Sequence, residues 1–102
     1  MNLYHSESMT VIEGKNLMYE IFIPKNVQKE LDKISYNDYK RIREKILKME
    51  LNPRLIGSIK LSDSNEYRVK VGVFRILYEI DDKSKKVFIY KVEHRKDVYR
   101  KN

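Results

Sequence analysis

The chain has 102 residues, of which 41% are hydrophobic and 36% charged, a composition that suits one small domain with a modest core. Lysine and arginine outnumber aspartate and glutamate by 22 to 15, and a body with a formal net charge of +7 attracts polyanions, usually nucleic acid, or an acidic protein. The absence of cysteine and the wide spacing of the two histidines exclude a disulfide frame and a zinc pattern. No apolar run approaches the roughly 20 residues of a membrane span and no secretory signal is present, so we expect a soluble cytoplasmic protein.

The N-terminal part predicts an extension followed by a strand. Residues 1–17 show no clear helical or strand period, and we expect them to be a flexible N-terminal extension of a domain that spans residues 18–102. Residues 18–23 alternate in polarity and are rich in strand-forming side chains, which predicts a first strand. Pro24 ends this strand and can occupy the first turn of a helix.

Two amphipathic helices are predicted next. Val27, Leu31 and Ile34 are spaced as one face of a helix over residues 25–34. A second helix is predicted over residues 39–51, and its outer face is so rich in charge that a solvated surface is the plain interpretation.

The C-terminal half predicts three strands. Residues 67–71, 74–80 and 87–92 are rich in β-branched and aromatic side chains, and the first two alternate strictly. Gly72 marks a tight turn between the first two strands, and residues 81–85 have the composition of a second turn.

The order of these elements predicts the fold class. With residues 54–65 as a connecting segment, the chain reads β-α-α-β-β-β-α. We therefore predict an α+β fold in which a helical hairpin packs on a small antiparallel β-sheet, with a short C-terminal helix.

Cations are concentrated on one face of the predicted sheet. If the first two central strands pair as a hairpin, Arg68, Lys70 and Arg75 share the face opposite the apolar one. Arg95 and Tyr99 are four residues apart and lie on one side of the short helix that follows. The plain alternative is that these cations form the solvated face of an antiparallel sheet.

Few kinds of chemistry fit these residues. Three scattered glycines make no phosphate loop, and neither a nucleophilic triad nor a carboxylate cluster for magnesium is present in the sequence, so we expect no metal and no small-molecule cofactor. Clustered arginine, lysine and tyrosine suit metal-free cleavage of RNA, because cations stabilise the extra charge of a phosphorane. They suit RNA binding without cleavage equally well.

His94 is either a further substrate-binding and proton-transfer candidate or a residue that hydrogen-bonds locally at the sheet–helix junction.

Three motifs resemble a known family. Residues 67–72 (YRVKVG), 74–80 (FRILYEI) and 94–99 (HRKDVY) resemble the signature of the RelE/ParE superfamily, the toxins of type II toxin–antitoxin pairs. The resemblance implies a compact α+β toxin. RelE-type members are ribosome-dependent endonucleases that cut mRNA in the A site without a metal, which implies the ribosome and mRNA as partners together with a cognate RelB-like antitoxin.

The resemblance also implies roles for single residues. Arg68 and Lys70 match the basic pair of the first central strand, in general-base or phosphate-orienting roles. Arg75 would stabilise the phosphorane, Arg95 would assist the leaving group, and Tyr99 would stack on or orient the substrate nucleotide. Arg68 stands where the best-known member has lysine, and arginine stays protonated, so Lys70 or the ribosomal RNA must take more of the base's role.

Two other functions are compatible with the same resemblance. ParE-type members inhibit DNA gyrase and commonly lack the complete set of basic residues and tyrosine, which favours the RelE-type activity here. A catalytically silent basic binding module is the third possibility.

Overall fold

The computed structural model describes residues 18–96, and within that range two helices and five strands follow one another along the chain. The elements are β1 (Glu20–Phe22), α1 (Lys25–Lys33), α2 (Tyr36–Lys48), β2 (Ile59–Lys60), β3 (Glu66–Val71), β4 (Phe74–Asp81) and β5 (Lys86–His94). Arg95 and Lys96 are helical, at the start of the predicted C-terminal helix. The rest of that helix, Tyr99 included, and the predicted extension over residues 1–17 lie outside the described residues. None of the helices in residues 18–96 has the length and apolarity needed to cross a membrane.

The strands form one mixed sheet in the order β1-β5-β4-β3-β2. The predicted antiparallel pairing holds for β3, β4 and β5, but β1 pairs with β5 in parallel. Alternation within a strand carries no information about the direction of its neighbour, so the sequence did not reveal this pairing. The two-residue edge strand β2, in the segment predicted to be a connection, is too short to show a period.

The core lies between the two helices and one face of the sheet, which we call the inner face. The α+β class with a helical hairpin is therefore confirmed. The core includes Val27, Leu31, Ile42, Ile46, Met49, Val69, Ile76, Tyr78, Ile80, Val87 and Ile89, each no more than 2% exposed. At about 25 cal/mol per Å² of apolar surface, burial of these side chains is the main stabilising contribution. Burial also raises the pKa of Tyr78 to about 12, and its hydroxyl donates to the Pro53 carbonyl at 2.7 Å.

The second helix begins three residues earlier than its apolar stripe predicts. The Ser35 side chain accepts a hydrogen bond from the Asp38 backbone N–H at 3.2 Å, which caps the helix N-terminus. Because of this cap, Tyr36 is already helical although its side chain is exposed.

Candidate active site on the outer face of the sheet

The face of the sheet opposite the helices, the outer face, carries three of the predicted site residues. Gly72 and Val73 form a two-residue turn between β3 and β4, and Gly72 has φ +60°, a conformation that favours glycine. The resulting register places Lys70 directly opposite Arg75, while Arg68 is opposite Leu77. The strand alternation and the turn together bring Arg68, Lys70 and Arg75 onto one surface, as predicted.

A carboxylate adjoins these cations. Arg75 lies opposite Glu93 of β5, with 3.7 Å between the Arg75 Nη1 and a Glu93 carboxylate oxygen. The Nζ of Lys91 is 3.7 Å from the other carboxylate oxygen. Lys70, Arg75 and Glu93 thus form a row across β3, β4 and β5, which we call the charged row. The side chains of Arg75 and Glu93 are only 14% and 18% exposed, so water screens their attraction less than at an open surface.

A β-bulge explains why Glu93 reaches this face. The register shifts between Leu77, opposite Lys91, and Tyr78, opposite Ile89, which leaves Tyr90 as the extra residue of β5. Strict alternation from Ile89 would have turned Glu93 inward and His94 outward. The bulge reverses this, and the structure therefore has a carboxylate beside Arg75 that the sequence reasoning missed.

His94 lies on the other side of the sheet from the predicted cations. It pairs with the core residue Phe74, and the two rings meet edge-on with centroids 5.1 Å apart. Its Nδ1 accepts a hydrogen bond from the Lys96 backbone N–H at 3.0 Å, the local bond at the sheet–helix junction that one interpretation expected. His94 also lines a cleft of about 890 Å³ between α1 and β5. Glu93 of the charged row lines the same cleft, whereas Lys70 and Arg75 do not, so His94 adjoins only the β5 end of the row.

Arg95 lies near the β3–β4 turn, because its backbone N–H donates to the Val73 carbonyl at 2.7 Å. This bond holds the residue at the end of the sheet where Lys70 and Arg75 lie. Tyr99, the remaining predicted site residue, is outside the described residues.

Three arginines in this region have an unsatisfied donor. The Nε atoms of Arg68, Arg75 and Arg95 are buried and have no hydrogen-bond partner in the part of the chain that the structure describes. A buried donor without a partner costs on the order of 1–3 kcal/mol. Arg43 of α2 has the same unpaired Nε, so an unpaired donor does not by itself mark an anion site, but it leaves Arg68, Arg75 and Arg95 each with a donor that an anion could accept from.

A second basic surface lies beside the first. Arg41, Lys45 and Lys48 of α2 line a cleft of about 270 Å³ together with Lys70. A Cβ atom placed on Gly72 would lie 3.4 Å from a terminal nitrogen of Arg41, so the helix approaches the hairpin turn closely. The outer face of α2, predicted to be merely solvated, is thus continuous with the cations of β3.

Acidic and histidine side chains within residues 18–96 form no group of three or more that could hold a metal ion. Glu93, the acid beside Arg75, is instead held by the two cations Arg75 and Lys91.

Comparison with known proteins points to one family. The family described as "ParE toxin of type II toxin-antitoxin system, parDE" matches residues 21–99. Comparison with curated proteins found no match.

Solved structures share the fold. RelE of the archaeal RelE–RelB complex from Pyrococcus horikoshii OT3 is 26% identical, with a TM-score of 0.68 over 76% of this chain and 96% of that one. The RelB–RelE complex from Methanococcus jannaschii contains a chain that is 28% identical, with a TM-score of 0.62 over 76% of this chain and 94% of that one. Isolated E. coli RelE, 20% identical over 80% of this chain and 90% of its own, has a TM-score of 0.66 and is similar in fold.

Proposed function

Because the chain belongs to the ParE toxin family of type II toxin–antitoxin systems, within the RelE/ParE superfamily, we propose that this toxin is a ribosome-dependent mRNA endonuclease that stops translation. The observation that carries the proposal is the register of the outer face. Lys70 lies directly opposite Arg75, and Arg68 adds a third cation two residues along the same strand.

These cations suit cleavage of RNA by its own 2′-hydroxyl group. The 2′-oxygen attacks the adjacent phosphorus, the bond to the 5′-oxygen breaks, and the products carry a 2′,3′-cyclic phosphate and a 5′-hydroxyl. The phosphorane between these states has more negative charge than the substrate. Arg75 binds its non-bridging oxygens, Arg68 and Lys70 orient the phosphate, and Arg95 assists the leaving group.

The unsatisfied arginine donors support this assignment. The Nε–H groups of Arg68, Arg75 and Arg95 have no partner among the described residues, whereas a phosphate or phosphorane presents several acceptor oxygens. A preorganised set of donors loses little energy to reorganisation when the charge develops, so the cost of leaving these groups unpaired is recovered in the transition state.

The layout of the site supports dependence on the ribosome. Of the two clefts described above, one is lined by Lys70 and the other by Glu93, while Arg68 and Arg75 line neither, so neither cleft encloses the whole set of charges. A surface of this kind does not by itself fix a flexible RNA strand in the geometry that in-line attack requires. We propose that the ribosome holds the mRNA in the A site and presents its phosphate to the charged row.

An antitoxin is the other proposed partner. The RelE chains of P. horikoshii and M. jannaschii were each solved in complex with RelB. We propose that a RelB-like antitoxin binds this toxin in the cytoplasm and neutralises the outer face. The net charge of +7 favours an antitoxin that is acidic where it contacts the toxin.

Inhibition of DNA gyrase is the second candidate function, because the matching family is named for the ParE toxins. A gyrase inhibitor would need the basic surface for binding but would not need Arg75 for chemistry. The two candidates therefore differ in their target and in the products they leave.

Primer extension on a reporter mRNA in a cell-free translation system tests the proposal. We expect cuts within ribosome-occupied codons that disappear when ribosomes are omitted. Intact mRNA with normal protein synthesis would contradict the proposal. A supercoiling assay with purified gyrase would then separate gyrase inhibition, in which relaxed DNA accumulates, from a catalytically silent binding module, which leaves supercoiling unchanged.

A further inference from the structure

Glu93 is the one residue of the charged row that the cleavage chemistry above does not use. We propose that Glu93 is the general base that removes the proton from the 2′-hydroxyl, an inference that rests on the proposed function. It gives this toxin a carboxylate base beside its phosphate-binding arginine.

The reaction needs a base at this place. Arg68 and Arg75 remain protonated at any working pH and cannot accept a proton. His94 is on the inner face, against Phe74, with its Nδ1 already hydrogen-bonded. The proposed function uses Lys70 as a cation that orients the phosphate, so Glu93 takes the base's role that the resemblance gave to Lys70 or the ribosomal RNA. Of the groups described near Arg75, Glu93 is the one that accepts protons in its ordinary charged state.

The position of Glu93 meets the geometric requirement for a base. A carboxylate oxygen of Glu93 lies 3.7 Å from Nη1 of Arg75, so a phosphate bound by that guanidinium has its neighbouring 2′-hydroxyl within the same small space. Among the other acids of the sheet, Glu66 and Glu79 lie opposite each other at the far end of β3, and Asp81 and Glu20 both pair with Lys86, at the other end of β5 from Glu93. Four residues separate Glu66 from Lys70, which is about 13 Å along a strand.

Lys91 holds the carboxylate in place. Its Nζ is 3.7 Å from one Glu93 oxygen while Arg75 is 3.7 Å from the other, so the two cations fix the carboxylate from two sides. The bulge at Tyr90 is what places Lys91 and Glu93 on the outer face, so the irregularity of β5 has a chemical consequence.

The Glu93 carboxylate takes the 2′-hydroxyl proton, and the 2′-oxygen forms a bond to phosphorus. The bond between phosphorus and the 5′-oxygen breaks, and the 5′-oxygen takes a proton from water. Glu93 then loses its proton to solvent, and no oxidant, reductant or metal is needed.

Single-turnover cleavage of ribosome-bound mRNA by Glu93→Gln is the test, with Glu79→Gln as the matched control on the same sheet face. General-base catalysis typically contributes about 10²–10⁴-fold, so we expect Glu93→Gln to slow cleavage by at least about 100-fold. We expect Glu79→Gln to cleave at the parental rate. Thermal unfolding of each variant checks that the fold is retained.

Two further readouts separate a base from a residue that only holds Arg75. The parental rate should fall as the pH is lowered, because the base becomes protonated, and Glu93→Gln should lose this dependence. Formate or acetate should partly restore cleavage by Glu93→Ala, since a free carboxylate can take the vacant place.

Four outcomes would overturn the inference. Cleavage by Glu93→Gln at the parental rate would show that Glu93 takes no part in the chemistry, and a faster rate would show that it restrains Arg75 electrostatically. A slower Glu93→Gln with the parental pH profile and no rescue of Glu93→Ala would show a positioning role. In these three cases the parent still cuts, so the proposed function stands. A parent that makes no cuts would overturn the proposed function and this inference together.

Discussion

Arg54 and Asp82, 28 residues apart in the chain, form a two-pronged ion pair that joins the segment after α2 to the β4–β5 turn. The two terminal nitrogens of Arg54 lie 3.0 and 2.8 Å from the two carboxylate oxygens of Asp82. The Nε of Arg54 donates to the Tyr67 hydroxyl at 3.0 Å, and the Tyr19 hydroxyl donates to Asp82 at 2.6 Å. Through Tyr19, Arg54, Tyr67 and Asp82, this network joins four parts of the chain that are distant in sequence.

We expect Arg54→Ala to lower the free energy of unfolding by about 1–2 kcal/mol, because it removes a bidentate ion pair and the bond to Tyr67. The Arg54 side chain is 43% exposed, which keeps the loss modest. Urea denaturation measures the change. Arg41→Ala is the control, because Arg41 pairs with Asp38 only within α2, and we expect it to cost less than half as much. Equal losses in the two variants would contradict the role given to Arg54.

The same network predicts a dependence of stability on pH. The hydrogen bonds from Arg54 and, to a smaller extent, Tyr19 lower the pKa of Asp82 to about 2 from an ordinary value of 3.8. A carboxyl whose pKa is lower in the folded state adds stability above its unfolded pKa, and that stability is lost as the pH falls toward the folded value. Denaturation at pH 5 and at pH 2.5 should therefore show a smaller loss of stability on acidification for Asp82→Asn than for the parent. Parallel losses would contradict this.

Removal of Arg75 should strongly slow the proposed cleavage without unfolding the protein. Loss of one group that stabilises transition-state charge costs about 10²–10³-fold in rate, and we expect Arg75→Ala to fall in this range. Lys29→Ala, which removes an exposed cation of α1 on the other side of the sheet, should cut normally. Primer extension with equal amounts of the three proteins measures the rates. Parental cleavage by Arg75→Ala would exclude Arg75 from the site.

Tyr99→Ala should cause a milder loss of cleavage than Arg75→Ala, because stacking on a base orients the nucleotide but does not carry charge. Tyr99→Phe should retain most of the activity, since the ring alone can stack. The same primer-extension assay ranks the variants. A Tyr99→Ala protein that is as toxic as the parent on expression would remove this residue from the site.

The sequence predicted those parts of the fold that repeat with a regular period. Alternation over β3 and β4 and a glycine at the turn were sufficient to place Arg68, Lys70 and Arg75 on one surface. The parallel pairing of β1 was not predictable in this way. It depends on β1 joining the edge of β5 that β4 leaves open, and no period within β1 records that. Long-range polar contacts such as that between Arg54 and Asp82 leave no local pattern at all.

The bulge in β5 marks the limit of reasoning from alternation. Val87 and Ile89 face inward at odd positions, whereas Val92 faces inward at an even one, so the period must break between them. The sequence contains one sign of this break: two polar or amphipathic residues, Tyr90 and Lys91, separate the apolar Ile89 from the apolar Val92. A strand predicted to end at Val92 could not show that the following Glu93 points to the outer face.

Deletion of Tyr90 tests this account of the site directly. Without the extra residue, β5 would alternate strictly from Ile89 through Lys91, Val92 and Glu93, so Val92 would still point inward while Lys91 and Glu93 stayed on the outer face. We therefore expect the deletion variant to fold and to keep the charged row, although it loses the hydrogen bond from the Tyr90 hydroxyl to Glu66. Deletion of both Tyr90 and Lys91 would instead turn Val92 outward and Glu93 toward the core, where burying a charged group is strongly unfavourable, so we expect that variant to be unfolded in far-UV circular dichroism. A double-deletion variant as stable as the single one would show that alternation from Ile89 does not determine which residues of β5 face the cations.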